Sequence, residues 1–231
     1  MAETAVDIIP VIDLQHGLVV RAKAGERARY APIVTPLSAT ADPVDVAQGL
    51  LAAVPAKRLY VADLDGIEGR GSDHASLARL AAACPGIELW VDSGFAADAE
   101  LGAFLDNGIG KPVLGSESQG DGELFARWRD HVVLSLDFRG EGFLGPRTLL
   151  DDSDLWPEAV IVMTLARVGT GTGPDTKRLA AIKARAPNSR VYAAGGLRGP
   201  EDLRRLEALG IAGVLVASAL HDGRLGHRRP R

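Results

Sequence analysis

The sequence predicts an α/β protein of the (β/α)8 barrel, or TIM barrel, class, and two observations support this prediction. Eight short and mostly apolar segments alternate with amphipathic segments along the 231 residues, as expected when parallel strands are buried beneath helices. Long stretches of the first half also recur in the second half. Eight alternations in a chain of this length favour a closed barrel over a doubly wound open sheet.

The predicted elements follow one another with almost no interruption. The strands, in chain order, are DIIPVID, RLYVADL, IELWVDS, KPVLGS, HVVLSLD, AVIVMT, RVYAAG and GVLVAS. The helices between them are DPVDVAQGLLAAV, DHASLARLAAAC, AADAELGAFLDNG, GELFARWRD, a shortened fifth helix in TLLDDSDLW, DTKRLAAIKARA and GPEDLRRLEALG. The first helix has a good start signal, because Asp42 can cap it and Pro43 suits its first position. After the last strand only LHDGRLGHRRPR remains, so we expect no full eighth helix.

The internal repeat indicates a duplication. VIDLQHG, around Asp13, matches SLDFRGEG, around Asp137, which lies 124 residues later. GFAADAELGAFLDNGIGKPVLGSES matches GLRGPEDLRRLEALGIAGVLVASAL, which begins 102 residues later. We interpret the chain as a single barrel domain, residues 1–231, made of two duplicated half-barrels of about 7–130 and 131–222 and a basic tail, 223–231.

Composition excludes several classes of function. The net charge of −4 provides no electrostatic attraction for nucleic acid, and no apolar run is long enough to span a membrane. The N-terminus lacks the basic segment of a signal peptide, so we predict a cytoplasmic location. Histidines are scattered without metal-ligand spacing, and no motif indicates a redox cofactor or a nucleotide-triphosphate loop. We therefore expect no metal and no cofactor.

Acidic residues stand at the ends of several predicted strands. Asp13 ends the first strand, Asp63 and Asp65 the second, Asp92 the third and Asp137 the fifth. In barrels of this class the active site lies at the carboxyl ends of the strands. Asp13 and Asp137 face each other by the half-barrel symmetry, and such a pair suits proton transfer to and from a sugar-like carbon or oxygen. Asp63 and Asp65 fit the alternative role of loop capping better.

Glycines at the end of the seventh strand predict an anion site. Gly195 and Gly196 precede a helix in AAGGLRGPED, where backbone N–H groups can face a phosphate. Ser218 follows the eighth strand and completes the usual phosphate site of the fold. The equivalent stretch of the first half is VDSGFA, in which the carboxylate of Asp92 would repel phosphate.

These motifs together resemble the histidine-biosynthesis barrels, the ProFAR isomerase HisA and the cyclase HisF. The resemblance covers residues 8–224 and rests on IPVIDLQHGLVVRA, LYVADLDGIEGRG, SLDFR, TLARVGTGTGPD, AAGGLRGPEDL and ASALHDGRL. It implies a catalytic role for Asp13 and substrate-binding roles for Arg21 and Asp65. From the sixth-strand segment and the glycine loops it implies further contacts: Thr164 and Arg167 to the substrate, and Gly171, Gly173, Gly195, Gly196 and Ser218 to its phosphate.

Departures from the family pattern argue against a faithful ProFAR isomerase. The resemblance implies a second proton-transferring carboxylate in the loop after the sixth strand, where this chain has Val168. Valine transfers no proton, and loss of a general acid or base costs about 10²–10⁴-fold. Asp137 is the candidate to replace it. The first-half phosphate loop has become DSGF, and the segment after Asp137 is cut back to FRGEGFLGPRTLL.

Two segments could supply replacement chemistry. GERARYAPIVTPLSATADP brings together Arg27, Arg29 and Tyr30, which could clamp an anion or a ring; a solvated loop is the alternative. His16, shortly after Asp13, could carry protons at neutral pH and is otherwise a loop histidine.

Three functions remain open at this point. The first is a HisA-like enzyme, an isomerase or lyase, that moves protons on a small phosphorylated substrate; the GERARYAP segment resembles family members outside histidine synthesis, which suggests cofactor biosynthesis. The second is a divergent ProFAR isomerase. The third is a catalytically silent barrel that binds a phosphorylated ligand or a partner. The missing eighth helix would leave apolar surface at the last strand, so a homodimer is a further hypothesis.

Overall fold

A computed structural model of the protein describes residues 6–22, 26–186 and 188–225. Its strands, in chain order, are β1 (Asp7–Gln15), β2 (Leu18–Val20), β3 (Arg58–Asp63), β4 (Glu88–Asp92), β5 (Lys111–Gly115), β6 (Val133–Arg139), β7 (Gly142–Leu144), β8 (Ala159–Thr164), β9 (Arg190–Ala194) and β10 (Gly213–Val216). Eight of them pair in parallel in the order β1-β3-β4-β5-β6-β8-β9-β10. The pairing of Ile9 with Leu215 joins β10 to β1 and closes the ring. The predicted (β/α)8 barrel is confirmed.

Helices lie between the strands. Within the described residues they are α1 (Pro43–Ala53), α2 (Leu64–Ile67), α3 (His74–Ala83), α4 (Asp98–Asp106), α5 (Glu123–Trp128), α6 (Arg147–Asp151), α7 (Thr176–Arg185), α8 (Pro200–Ala208) and α9 (Ser218–His221). The Asp42 carboxylate accepts hydrogen bonds from Val44 N at 2.9 Å and Asp45 N at 3.4 Å, so it caps α1 as predicted. The helix predicted to be shortened, α6, has five residues, and no full helix follows β10 among the described residues.

Two antiparallel hairpins mark equivalent points of the two halves. Asp13 on β1 pairs with Val20 on β2, and Asp137 on β6 pairs with Leu144 on β7. The first turn contains His16 and Gly17 with φ of 52° and 76°, the left-handed values that a tight two-residue hairpin turn requires. The two hairpins agree with the duplication inferred from the repeat, which stays a prediction.

The inside of the barrel is a packed core. Trp90 and Tyr192 cross it with their ring centroids 4.9 Å apart and their planes nearly perpendicular. Both are almost fully buried, together with inward-facing aliphatic residues such as Ile9, Val133 and Ile161. A second, larger apolar layer lies between the strands and the helices. Because the interior is filled with side chains, open space occurs at the rim.

The seam after β10 is covered within the chain. Val214 and Val216 are buried, and Leu220 of α9 and Leu225 pack into the same apolar layer. The uncovered strand-eight face that suggested a homodimer is therefore absent from the described part of the molecule, and the dimer remains an untested hypothesis without that support. Residues 226–231 of the predicted basic tail lie outside the described residues. No described helix is long and apolar enough to cross a membrane.

Candidate active site

A pocket opens to solvent at the carboxyl end of the barrel, and the space within it and at its opening amounts to about 890 Å³. Parallel strands place their last residues at one rim, so residues distant in sequence meet there. Asp13 from β1, Asp92 from β4 and Asp137 from β6 all line it, together with Arg27 and Glu117 from loops. Apolar side chains, glycines, Tyr60 and Ser218 form the rest of the wall.

Asp137 is buried and its carboxylate is held by two donors. Ser135 Oγ donates to its Oδ1 at 2.7 Å and Glu117 N donates to its Oδ2 at 3.2 Å, while Asp137 N donates to Ser116 Oγ at 2.9 Å. Burial raises the pKa of Asp137 to about 7 against the lowering effect of the Ser135 bond, and the negative charges of Asp92 and Glu117 add to the increase. Its geometry is thus fixed while its proton is available near neutral pH.

Asp92 and Asp137 converge on one glycine. A Cβ at Gly115 would lie 3.2 Å from Asp137 Oδ2 and 3.3 Å from Asp92 Oδ2. Asp92 accepts hydrogen bonds from Gly94 N at 3.0 Å and from the Tyr60 hydroxyl at 3.3 Å. Burial raises the pKa of Asp92 to about 6. Burial first, then the charges of the surrounding carboxylates, raise the pKa of Tyr60 well above its ordinary value, so this phenol stays a neutral donor.

Asp13 differs from the other two carboxylates in having no hydrogen-bond donor among the described residues. Burial raises the pKa of Asp13 to about 7, and the positive charge of Arg27 opposes this increase. A carboxylate that lines a pocket without an internal partner is free to accept a proton from a ligand.

Arg27 lines the pocket and pairs with another lining residue, Glu117. Its guanidinium donates to Glu117 Oε1 at 2.7 Å, and Glu117 follows β5. Of the predicted clamp, only Arg27 lines the pocket. Arg29 instead pairs with Glu26 at 2.7 Å and its side chain is 79% exposed, while Tyr30 packs against the barrel interior.

The predicted phosphate residues divide into two groups. Gly171, Gly195, Gly196 and Ser218 line the pocket. Gly173 does not line it, because its N–H donates to Gly196 O at 2.8 Å and serves loop packing. A Cβ at Gly196 would lie 2.3 Å from the oxygen of Gly173, so the two glycine loops touch through their backbones.

Thr164 and Arg167 lie behind this wall. Thr164 is buried at the end of β8 and is absent from the pocket lining. Arg167 donates from Nη1 to Gly173 O at 2.9 Å and to Pro174 O at 3.2 Å. The Arg167 side chain, which was predicted to bind substrate, is therefore engaged with two carbonyl groups of its own loop.

His16 and Asp65 form a separate cluster. His16 occupies the hairpin turn, its side chain is 71% exposed, and its Nδ1 lies 3.2 Å from Asp65 Oδ1. Asp65 also accepts from His16 N at 2.6 Å and Arg70 Nε at 2.9 Å. Burial would raise the pKa of Asp65, but these bonds outweigh it and hold the pKa below its usual value. Neither His16 nor Asp65 lines the pocket with Asp13, so the predicted catalytic role of His16 and substrate-binding role of Asp65 stay predictions without support from the pocket.

Arg21 and Asp63 are also engaged in structural contacts. Arg21 forms an ion pair with Asp222 at the end of α9 and does not line the pocket. Asp63 is fully buried and accepts from Ser93 Oγ at 2.8 Å and Asp73 N at 3.0 Å, which agrees with the loop-capping alternative.

Tyr60 and Glu117 are pocket residues that the sequence analysis did not select. Tyr60 alternates with Ala62 on β3, and this two-residue period could have shown that both face the barrel interior. Glu117 directly follows the predicted strand KPVLGS. A position at a strand end was the reason for selecting Asp13, and the same reason could have selected Glu117. Val168 lines the same pocket, so a carboxylate there would join the four that are present, those of Asp13, Asp92, Glu117 and Asp137. Among the described residues, no group of three or more His, Cys, Asp or Glu could hold a metal ion.

The closed ring of strands and the pocket at its rim define a (β/α)8-barrel protein with an acid-lined pocket. A family model described as "Histidine biosynthesis protein" matches residues 7–226. The chain belongs to this histidine biosynthesis family, as the resemblance implied.

Curated relatives cover nearly the whole chain. An uncharacterised protein of Methanocaldococcus jannaschii is 30% identical, covering 94% of this chain and 93% of its own. A protein of Thermus thermophilus is 30% identical (94% and 95% covered), and one of Halothermothrix orenii is 29% identical (95% and 96% covered). The last two are named as isomerases of a phosphoribosyl-substituted imidazole-4-carboxamide.

Proposed function

We propose that the protein is an enzyme of the isomerase kind that transfers protons on a small phosphorylated substrate, with Asp13 and Asp137 as the acid–base pair. One observation carries the proposal. Two carboxyl groups with pKa values of about 7 line one pocket, and that pocket also contains Gly195, Gly196 and Ser218.

The two carboxyl groups suit complementary roles. Near pH 7 a group with this pKa exchanges protons readily in both directions. Asp13 is close to a cation, Arg27, which favours its ionised form and the role of base. Asp137 is close to Asp92 and Glu117, whose charges favour its protonated form and the role of acid. An isomerisation needs both: one group removes a proton from carbon while the other protonates oxygen.

ProFAR isomerase activity is the second candidate, and the names of the relatives favour it. Since Asp137 lies in the pocket, Val168 does not leave Asp13 without a second carboxylate. The altered first-half phosphate loop argues against this candidate, because Asp92 places a negative charge there.

A ProFAR isomerase assay separates the candidates, with the wild type, Val168→Asp, Asp13→Asn and Asp137→Asn run side by side. Wild-type turnover lost in both Asn variants would identify a divergent ProFAR isomerase. Activity only in Val168→Asp would show that the pocket admits ProFAR but lacks its proton carrier. No activity in any variant would direct the search to smaller monophosphates, including intermediates of cofactor biosynthesis.

The proposal of an enzyme has its own test. Turnover of a phosphate ester, abolished by Asp13→Asn in a folded variant, would support it and exclude a silent binding barrel. Binding of phosphate esters without turnover of any would favour the silent barrel. Rescue of a histidine auxotroph by the gene would support the ProFAR reaction.

A further inference from the structure

The pocket has a second-half end, lined by Gly196 and Ser218, and a first-half end, lined by Asp92 and Glu117 next to the equivalent Gly94 and Ser116. The two ends differ in which hydrogen-bond donors are free. In the second half, neither the N–H of Gly196 nor the hydroxyl of Ser218 has an acceptor among the described residues. In the first half, the equivalent Gly94 N–H donates to Asp92 Oδ1 at 3.0 Å, and the equivalent Ser116 hydroxyl donates to Leu144 O at 2.6 Å. An anion arriving at the first-half end would find these donors already occupied.

A backbone N–H group that follows β5 is also occupied by an internal acceptor. Glu117 N donates to Asp137 Oδ2 at 3.2 Å, so another N–H of the first-half end is taken by an internal carboxylate. Asp92 and Asp137 thus already accept the hydrogen bonds of donors that a second phosphate would need. Displacing them would leave buried carboxylates without partners, which is costly.

The charges along this end of the pocket are unbalanced. Four carboxylates line the pocket, those of Asp13, Asp92, Glu117 and Asp137. Arg27 is the only basic residue among the described lining residues, and it is already paired with Glu117 at 2.7 Å. Asp13 has no internal donor, so at least one carboxylate is left for a ligand.

We propose that the first-half end of the pocket binds a cationic amino group and rejects a second phosphate, so that the substrate is a phosphate monoester bearing an amine at its other end. Asp92 is then a specificity-determining residue, because it both blocks the Gly94 amide and supplies negative charge. This proposal rests on the proposed function for the phosphate at the Gly195, Gly196 and Ser218 end.

Three probes of equal chain length test the proposal by isothermal titration calorimetry at low salt: propyl phosphate, 3-aminopropyl phosphate and propane-1,3-diyl bisphosphate. We expect the amine to bind at least about tenfold more tightly than propyl phosphate, a modest gain for one ion pair in a partly buried site. The bisphosphate should bind no more tightly than propyl phosphate, although it carries more charge. A bisphosphate that binds as tightly as the amine would overturn the proposal.

Substitutions test whether Asp92 causes the preference for the amine over propyl phosphate. Asp92→Asn keeps an oxygen for Gly94 N–H and should reduce the amine-to-propyl affinity ratio to about threefold or less. Glu88→Gln, at the other end of β4, removes the same charge outside the pocket and should leave the ratio unchanged. If Asp92→Asn is not folded by circular dichroism, Glu117→Gln takes its place. An unchanged ratio in the folded pocket variant would refute the role of these carboxylates.

The outcomes also distinguish this inference from the proposed function. Propyl phosphate binding without an amine advantage would overturn the amine site and leave the phosphate end intact. Absence of binding by all three probes and by inorganic phosphate would overturn the phosphate end, and the amine inference with it.

Discussion

Arg27 and Glu117 both line the pocket and form an ion pair of 2.7 Å, in which the two side chains are only about a quarter exposed (29% and 24%). The pair joins the loop after β2 to the turn after β5. Arg27 is the only basic residue among the described lining residues, which besides Glu117 include three further carboxylates, those of Asp13, Asp92 and Asp137. The ionisation of those carboxylates should therefore depend on it.

Replacing Arg27 by Gln should raise the pKa of Asp13 above its value of about 7. The guanidinium is the one charge that lowers this pKa, so its removal leaves burial unopposed. A ¹³C NMR titration of the Asp13 carboxyl measures the shift directly. Arg29→Gln removes an exposed arginine of the same loop and should leave the titration unchanged. An Asp13 titration that is identical in wild type and Arg27→Gln would contradict this prediction.

Asp137→Asn should stabilise the protein increasingly as the pH rises from about 4 to about 7. The folded pKa of Asp137 is raised, so the native state binds this proton more tightly than the unfolded chain. As the pH rises and Asp137 ionises, the free energy of unfolding of the wild type therefore falls. The Asn variant has no carboxyl group at this position and does not show this loss. Urea denaturation at a series of pH values gives the difference between variant and wild type.

Asp202→Asn provides a control of opposite sign. Its hydrogen bond and ion pair with Arg198 hold the pKa of Asp202 below the usual value. The native state thus gains stability from ionised Asp202 above the unfolded pKa and loses it as the pH falls. Asp202→Asn should destabilise the protein at neutral pH and less so in acid. Parallel pH profiles for the two variants would show that their carboxyl groups do not titrate as described.

His221 should make the protein sensitive to mild acid. It is 5% exposed, its Nδ1 lies 3.0 Å from Thr35 Oγ1, and burial together with Arg21 lowers its pKa from 6.5 to about 4. The native state keeps it neutral while the unfolded chain protonates, so up to about 3 kcal/mol of stability should be lost between these pH values. His221→Asn should flatten this part of the pH profile in thermal denaturation, whereas the exposed His131→Asn should not. Equal acid sensitivity of both variants would contradict the assignment.

Gly196→Ala should damage the phosphate end. Gly196 has φ +85°, and a Cβ there would lie 2.3 Å from Gly173 O. We expect a loss of inorganic-phosphate affinity of about tenfold or more, because the two glycine loops must separate. Gly108→Ala is the matched control, since Gly108 has φ +63° with no atom within 4 Å of its Cβ, and should cost only about 1 kcal/mol. Calorimetry and urea denaturation of both variants test this. Unaltered phosphate affinity in Gly196→Ala would show that phosphate binds elsewhere.

Much of the fold could be predicted from the sequence because its determinants are local. Strands such as Ala159–Thr164 are almost entirely buried, which requires nearly continuous apolar runs that can be recognised in the sequence. The capping by Asp42 depends on neighbours two and three residues away. Asp13 and Asp137 could be selected because parallel strands bring their last residues to one rim whatever the details of packing.

The remaining features depend on distant parts of the chain meeting in space. Arg21 was predicted to bind substrate, yet Asp222, 201 positions away, pairs with it. Glu117 lines the pocket and pairs there with Arg27, 90 positions away. The sequence by itself determined the barrel, its rim and two of its acids. Only the tertiary structure decided which charged groups remain free in the pocket, since each ion pair depends on a partner that no local pattern reveals.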